Sequence, residues 1–364
     1  MQNFDIQEYT SRGIKNIVKN IMRSAVRNPK ETAFVMRFSV TSAKASSRRQ
    51  ELEKQGTHIP SFLIASITSS CNLHCKGCYS RQNHATMDCE PKNQLNASEW
   101  GKVFSEAEDS GISFVLLAGG EPLLRKDVIT KAASFQNTVF PIFTNGVFIS
   151  DEYFTMFDNH RNLIPVLSIE GDKELTDERR GKGIFDRQIQ NMQELRSRGI
   201  LFGVSVTVTK ENQKQVYSES FVNAIAEYGC SIVIYVEYVP VNEETKHLAP
   251  DDTDRAFMTE AAMKLRESYP DMLFLGFPSD EKASGGCLAA GRGFFHINSH
   301  GEAEPCPFSP YSDTNIRDHS LTEVMQSSLF RKLHDSGVLL QNHSGGCVLF
   351  EQQNFVRSLI ETIH

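Results

Sequence analysis

Three cysteines stand within eight residues, Cys71-Asn72-Leu73-His74-Cys75-Lys76-Gly77-Cys78, in the spacing C-x3-C-x2-C. Thiolates this close can ligate three corners of one iron–sulfur cube. The fourth iron then lacks a protein ligand and can take a small molecule. A structural zinc site is the competing reading, with His74 or Cys89 as fourth ligand, although the spacing is not that of paired zinc knuckles. Three further cysteines, Cys287, Cys306 and Cys347, lie in the last quarter of the chain. Cys230 precedes an apolar run and reads as a small buried hydrophobe, and Cys89 sits in a polar loop. In a reducing compartment, clustered thiols indicate metal binding or catalysis rather than disulfides.

Such a loop needs a scaffold, and the residues after it supply one. Short apolar runs predict strands over Phe62–Thr68, Ser113–Leu117, Val139–Phe143, Pro165–Ile169, Gly203–Val208 and Ile232–Glu237. Longer polar segments between them, such as Ala97–Ser110 and Arg187–Arg198, predict helices. This alternation implies an α/β fold with parallel βαβ units around a buried sheet. Six units suggest an open or partial (β/α) barrel, with a doubly wound sheet as the alternative on pattern alone. The cysteine loop follows the first strand directly. Past residue 271 the texture changes: Phe294–Asn298 resembles a strand entering a turn at His300-Gly301, and Leu321–His334 reads as a helix.

The 364 residues allow two or three domains. Hydrophobic content of 40% and charged content of 23% are those of an ordinary globular protein. A net charge of −7 argues against a polyanion binder, so nucleic acid is not an expected partner. The opening residues, with Asp5 and Glu8, do not read as a signal peptide. No apolar run is long enough to span a bilayer, and a cytoplasmic location is expected. Residues 1–58 look helical. Ile14, Ile17, Val18, Ile21, Met22, Ala25 and Val26 share one helix face, and Asn28-Pro29 is a stop. A second helix is expected from Glu31 towards Ala45, then a basic patch from Lys44 to Arg49, then a boundary at Gly56 and Pro60. The first apolar stripe either packs on the barrel or lies on an anionic lipid surface, since residues 1–55 hold 11 Lys and Arg against 5 Asp and Glu.

The string Ser69-Ser70-Cys71-Asn72-Leu73-His74-Cys75-Lys76-Gly77-Cys78-Tyr79 resembles the radical S-adenosylmethionine (SAM) superfamily. That family carries its C-x3-C-x2-C loop after the first strand of a partial (β/α)6 barrel. The resemblance implies a [4Fe–4S] cluster on Cys71, Cys75 and Cys78, with SAM on the unique iron. Ala118-Gly119-Gly120-Glu121-Pro122 resembles the family's Gly-Gly-Glu element, which holds the SAM amino group. A carboxylate suits an ammonium, and glycines let backbone approach closely. Thr144-Asn145-Gly146 matches another recurrent element. Ser168-Ile169-Glu170-Gly171 stands where relatives have Ser-x-Asp-Gly, and Asp177-Glu178-Arg179-Arg180-Gly181 resembles the stretch that follows. By that likeness Ser168 and Arg180 contact the SAM carboxylate, with Arg179 adjacent as the alternative. Thr207 or Thr209 reaches the ribose. Many members place an aromatic residue just before the third cysteine, near the adenine; here that position is Gly77, and Tyr79 is the substitute.

Cys287-x13-Gly301-x4-Cys306, followed by Cys347, resembles the C-terminal SPASM or twitch extension, a small α+β auxiliary-cluster domain. The four-cysteine run of the full SPASM form is missing, so one auxiliary iron–sulfur cluster is expected, of [4Fe–4S] type, with zinc as the plain alternative. Its fourth iron is either open or ligated by Cys230 or another residue. The expected organisation is an N-terminal helical extension over 1–58, a barrel over 59–270 and the auxiliary domain over 271–364. The resemblance implies reductive cleavage of SAM to a 5′-deoxyadenosyl radical that abstracts hydrogen from a peptide or protein substrate. It also implies a reductant such as flavodoxin or ferredoxin. A small molecule or lipid is the alternative substrate, and an electron-transfer or zinc-stabilised protein is the non-enzymatic alternative. Glu121 and its glycines argue against the last, since neither role needs a site for a methionine ammonium.

Overall fold

The computed structural model describes residues 28–89, 92–240, 243–277, 285–341 and 347–361, together with Lys15 and Lys19. Nine strands form one sheet in the order β7-β6-β5-β4-β3-β2-β1-β8-β9. They are β1 (Phe62–Thr68), β2 (Phe114–Gly119), β3 (Phe140–Thr144), β4 (Leu163–Ser168), β5 (Gly203–Val208), β6 (Ile232–Glu237), β7 (Leu273–Phe277), β8 (Phe294–Ile297) and β9 (Ala303–Glu304). The first seven run in strict sequence order and pair in parallel. A doubly wound sheet would reverse its order at a switch point. This sheet does not, so the half-barrel reading holds. β8 then pairs in parallel with the other side of β1, and β9 returns antiparallel to β8.

The helices between the strands start and stop where local chemistry dictates. Asn96 caps Ala97–Ser110 reciprocally with Glu99, and Gly111 ends it at φ +95°, a left-handed turn that favours glycine. A Cβ at Gly111 would also come within 2.7 Å of the Ala45 carbonyl on a crossing helix. Leu321–His334 divides into two helices, Leu321–Met325 and Ser328–Asp335, because Ser327 caps the second one.

The crossing helix spans Pro29–Lys54. Asn28 caps it and Pro29 occupies its first position, where a missing N–H costs nothing. The expected end near Ala45 is therefore too early: nothing breaks the helix before Gly56, and the basic stretch 44–49 is helical. Its inner face carries Phe34, Val35, Phe38, Ser42 and Arg49. Phe34, Val35 and Phe38 pack with Phe114, Val139, Ile164, Leu201, Ile232 and Leu273 at the strand beginnings, and Phe62, Leu116, Ile234 and Leu275 complete the cluster. The helix thus plugs the N-terminal end of the half-barrel and gives its interior a floor. The apolar stripe over residues 14–26 lies outside the described residues, apart from the exposed helical Lys15 and Lys19 between its positions. Among the described residues, no helix is long and apolar enough to cross a membrane.

Candidate functional site

With the floor closed, the open end of the interior is the C-terminal end of the strands, where the loops gather. The cysteine loop leaves β1 there and is held from three sides. Cys71 N–H donates to the Met87 carbonyl at 3.1 Å, and Lys76 N–H donates to the Arg179 carbonyl at 2.8 Å. Asn145, just past β3, donates through Nδ2 to Asn72 Oδ1 at 2.8 Å. From within the loop region, Arg81 donates to the carbonyls of Leu73 and Cys71 at 2.9 and 3.1 Å. Arg81 is anchored by Asp88 at 2.8 Å, which also pairs with His74 at 3.0 Å.

The Gly119-Gly120 pair brings the end of β2 against this loop. Gly120 N–H donates to the Thr68 carbonyl and Glu121 N–H to the Ser70 carbonyl, both at 2.8 Å. A Cβ on Gly120 would sit 2.0 Å from the Ser70 carbonyl oxygen, so only glycine permits the approach. Glu121 is buried. Its Oε1 accepts from Leu123 N–H at 3.0 Å and Thr144 Oγ1 at 2.7 Å, and its Oε2 accepts from Asn145 N–H at 2.8 Å. The carboxylate therefore splices β2 to β3 and keeps one further acceptor position of about four. Burial outweighs these hydrogen bonds and raises its pKa.

Glu170, beyond β4, is the second buried carboxylate. Its Oε1 accepts from Arg179 at 2.7 Å and from Arg180 at 2.6 and 2.7 Å, and its Oε2 from Thr207 N–H at 3.0 Å. One negative charge thus faces two guanidiniums. Arg180 Nη1 lies 3.9 Å from Cys75 Sγ. Burial works against the charge of Arg180, but Glu170 and Cys75 more than offset it and raise its pKa. Burial, reinforced by the negative charge of Glu121, Cys75 and Cys78, pushes the Cys71 thiol up to about 11. A cationic group among the thiols would reverse that penalty.

The remaining candidates divide. Ser168 Oγ meets Ser205 Oγ at 3.3 Å, and Thr207 offers a partly exposed side chain. Thr209 is buried against Asn212. Tyr79 stacks edge-on with Phe308 from the C-terminal segment, ring centroids 4.7 Å apart, with Cys78 and Cys306 both close enough to raise its pKa beyond the effect of burial. Cys287, Cys306 and Cys347 are buried. The Ala290 N–H bonds the Pro305 carbonyl at 3.0 Å and Cys287 N–H bonds the Leu339 carbonyl at 2.7 Å, so the first two of these cysteines belong to one folded unit. Cys230 donates to the Ile232 carbonyl at 3.2 Å, and burial pushes its thiol up to about 12.

Three residues that organise the site were not singled out from sequence. Gln188 Nε2 donates to the carbonyls of Asn145 and Ser168 at 2.9 and 3.0 Å, joining the ends of β3 and β4. Asn212 Nδ2 joins Glu170 and Thr207 in the same way at 3.1 and 2.9 Å. Asn72 receives Asn145. A polar residue on a helix or in a loop carries no signal that distinguishes it from a solvated one.

A donor set of three loop thiols, with no carboxylate or imidazole among them, fits an iron–sulfur cluster. Among the described residues, no three His, Cys, Asp or Glu side chains converge as ligands of a single ion; the corners of a cube hold their ligands farther apart than one ion does. Residues 65–218 match the Radical SAM superfamily, and the chain carries a radical SAM domain. Among curated proteins it is 26% identical over 307 residues to the AdoMet-dependent heme synthase of Methanosarcina barkeri, covering 77% of this chain and 86% of that one. It is 25% identical over 317 residues to the mycofactocin maturase MftC of Mycolicibacterium smegmatis, covering 81% and 78%. Among solved structures, Streptococcus suis SuiB bound to S-adenosylmethionine superposes with a TM-score of 0.67 at 20% identity, covering 86% of this chain and 78% of SuiB, a likeness of fold.

Proposed function

We propose that this protein is a radical SAM enzyme that modifies a peptide or protein by hydrogen abstraction. The observation that carries the reading is one constellation: the Cys71–Cys78 loop, bonded to Asn145, with Arg180 Nη1 3.9 Å from Cys75 Sγ. Cys71, Cys75 and Cys78 would hold the cluster. Glu121 and the Gly119-Gly120 backbone would receive the SAM amino group, and Ser168 and Arg180 its carboxylate. Asn145 would keep the loop in place, Thr207 would meet the ribose, and Tyr79 would close the adenine side. Bound together, cluster and SAM supply one-electron cleavage of a sulfonium C–S bond, and so the means to attack an unactivated C–H bond. The chain's own residues bind, orient and exclude water. Cys287, Cys306 and Cys347 would hold one auxiliary cluster.

The peptide substrate is supported by relatives named as maturases, among them MftC and the sporulation killing factor maturation protein SkfB of Bacillus subtilis, and by the SuiB fold, solved with its precursor peptide SuiA. A heme-type substrate is the second reading, favoured by the similarity to the Methanosarcina heme synthase. The first test is 5′-deoxyadenosine release from SAM by anaerobically reconstituted protein with dithionite, beside a Cys75→Ala control. Release that vanishes in the control supports the reading. No release, together with no effect of SAM on the cluster's electron paramagnetic resonance signal, overturns it. Stimulation of release by a peptide encoded in a neighbouring short open reading frame, against stimulation by an iron porphyrin, separates the two substrates.

A further inference from the structure

The strand register shows which side chains enter the barrel. Phe62 pairs with Phe114 and Phe294, Ile64 with Leu116 and His296, Ser66 with Ala118, and His296 with Glu304. In-register neighbours share a sheet face. Phe62 and Leu116 lie on the floor built over the plug helix. Ser66, His296 and Glu304 therefore project into the interior, on strands β1, β8 and β9. They are bonded in series. His296 Nε2 lies 2.7 Å from Ser66 Oγ, and His296 Nδ1 lies 2.7 Å from Glu304 Oε2. Asn298 Nδ2 donates to Glu304 Oε1 at 2.7 Å.

Burying such a chain among Phe62, Ile64, Leu116 and Ala118 is costly unless every member is satisfied, and each of the three is. Holding β8 against β1 does not require it, because the backbone ladder already does so over four residue pairs. His296 and Glu304 are 4% and 5% exposed, whereas Ser66 is only half-buried, so the chain opens at its serine end. Glu304 Oε1 accepts from Asn298 Nδ2, and its Oε2 stands 2.7 Å from His296 Nδ1, the place for an Nδ1–H donor. The Nε2 lone pair then faces Ser66 and draws the hydroxyl hydrogen towards itself. The serine's own lone pairs are left for the interior. Hydroxyl, base and orienting carboxylate in this order are the arrangement that activates a hydroxyl oxygen.

We propose that Ser66 is a substrate-binding residue whose activated hydroxyl oxygen accepts a hydrogen bond from a substrate N–H or O–H group, with His296 behind it and Glu304 orienting the imidazole. The substrate N–H bond stays intact: Ser66 donates its own hydrogen towards His296 Nε2 and turns its lone pairs to the substrate. His296 is kept in place through Nδ1 by Glu304 Oε2 at 2.7 Å, and no proton or electron leaves the substrate. The class of substrate this selects is a neutral hydrogen-bond donor such as a peptide amide. A carboxylate at the same place would meet the lone pairs of Ser66. The substrate role rests on the reading of this interior as the site of a radical SAM enzyme; the activation of Ser66 does not.

The test uses reconstituted holoenzyme and diisopropyl fluorophosphate under anaerobic conditions, with adducts located by peptide mass spectrometry. Reaction forms an O–P bond at Ser66, breaks the P–F bond and leaves the proton on His296, so it reports a hydroxyl that is both activated and reachable. We expect labelling at Ser66, none in Ser66→Ala, and labelling slowed by about a hundredfold in His296→Gln. Iron content and thermal unfolding establish that each variant is folded, and Glu304→Gln, slowed in the same direction, serves if His296→Gln is not. No adduct at Ser66, or equal labelling in the folded variant, overturns the proposal. In the same preparations 5′-deoxyadenosine release is measured: release without labelling sinks this inference alone, and labelling without release, together with no effect of SAM on the cluster's electron paramagnetic resonance signal, leaves the activated serine while removing the radical reading.

Discussion

Asn145 Nδ2 donates to Asn72 Oδ1 across 2.8 Å, and that bond ties the end of β3 to the residue directly after the first cysteine of the C-x3-C-x2-C loop. Asn145 is itself fixed by Glu121 through its N–H and by Gln188 through its carbonyl. The position of the loop is therefore inherited from two strands at once. Asn145→Ala removes this bond to the loop and the one its Oδ1 accepts from Val147 N–H at 3.1 Å, each a neutral hydrogen bond worth about 1 kcal/mol. We expect iron content to be unchanged and SAM affinity by equilibrium dialysis to fall by roughly fivefold. Unchanged affinity would show that the loop holds itself.

Glu170 offsets two guanidiniums while almost entirely buried, with Arg179 and Arg180 each bonded to its Oε1. Replacing it by Gln leaves two partly buried cations facing a neutral amide. Stability should fall by about 3–5 kcal/mol, because an unpaired buried charge keeps its desolvation cost. Urea denaturation of Glu170→Gln against Glu170→Asp measures this, and Asp should recover part of the loss. A loss under about 1 kcal/mol for Gln would mean that solvent screens the arginines.

Phe38 reaches the floor of the barrel and meets Phe114 edge-on at 5.5 Å between centroids. Phe38→Ala should cost about 3–5 kcal/mol through lost burial and the cavity left behind. The same substitution at the exposed Met36 on the same helix should cost under about 0.5 kcal/mol. Equal costs would remove the helix's role as a plug.

Cys230, its thiol pushed up to about 12, stays protonated at neutral pH. The sign is that of a raised acid: the thiolate fraction grows with pH, yet near pH 8 it is still only about one part in ten thousand. Iodoacetamide should alkylate the exposed Cys89 in the native protein and reach Cys230 only after unfolding. Cys230→Ala should keep its full iron content. Loss of iron in that variant would make Cys230 a ligand.

Changing Cys71, Cys75 and Cys78 together to Ala should leave about four irons per chain, held by Cys287, Cys306 and Cys347. Iron analysis and Mössbauer spectra read the result. Complete loss of iron would leave the auxiliary cluster without support.

Six barrel strands were legible because parallel strands buried on both faces are continuous apolar runs: Phe62–Thr68, Gly203–Val208 and Ile232–Glu237 begin and end where the runs do. The C-x3-C-x2-C loop was legible for a different reason. Its thiols are neighbours in sequence, so spacing alone constrains their geometry, and Arg180, 3.9 Å from Cys75 Sγ, was singled out by its likeness to a known motif. The extent of the plug helix was missed because Lys44–Arg49 looks solvated, and only packing turns Arg49 inward. Gln188, Asn212 and the double load on Glu170 were invisible too, since Gln188 and Asn212 reach partners up to 43 and 42 residues away and packing alone turns both guanidiniums towards Glu170.

What this sequence determined by itself was the local chemistry: which thiols stand together, where strands start, and where glycine must let backbone pass. Tertiary structure alone decided which polar groups meet. Ser66 and His296 are far apart in the chain, and no periodicity relates them. They are 2.7 Å apart because β8 returns to pair with β1 in a register that puts both on the inner face. Side-chain direction alternates along a strand, so a shift of one residue would have turned His296 outward and left Ser66 an ordinary hydroxyl.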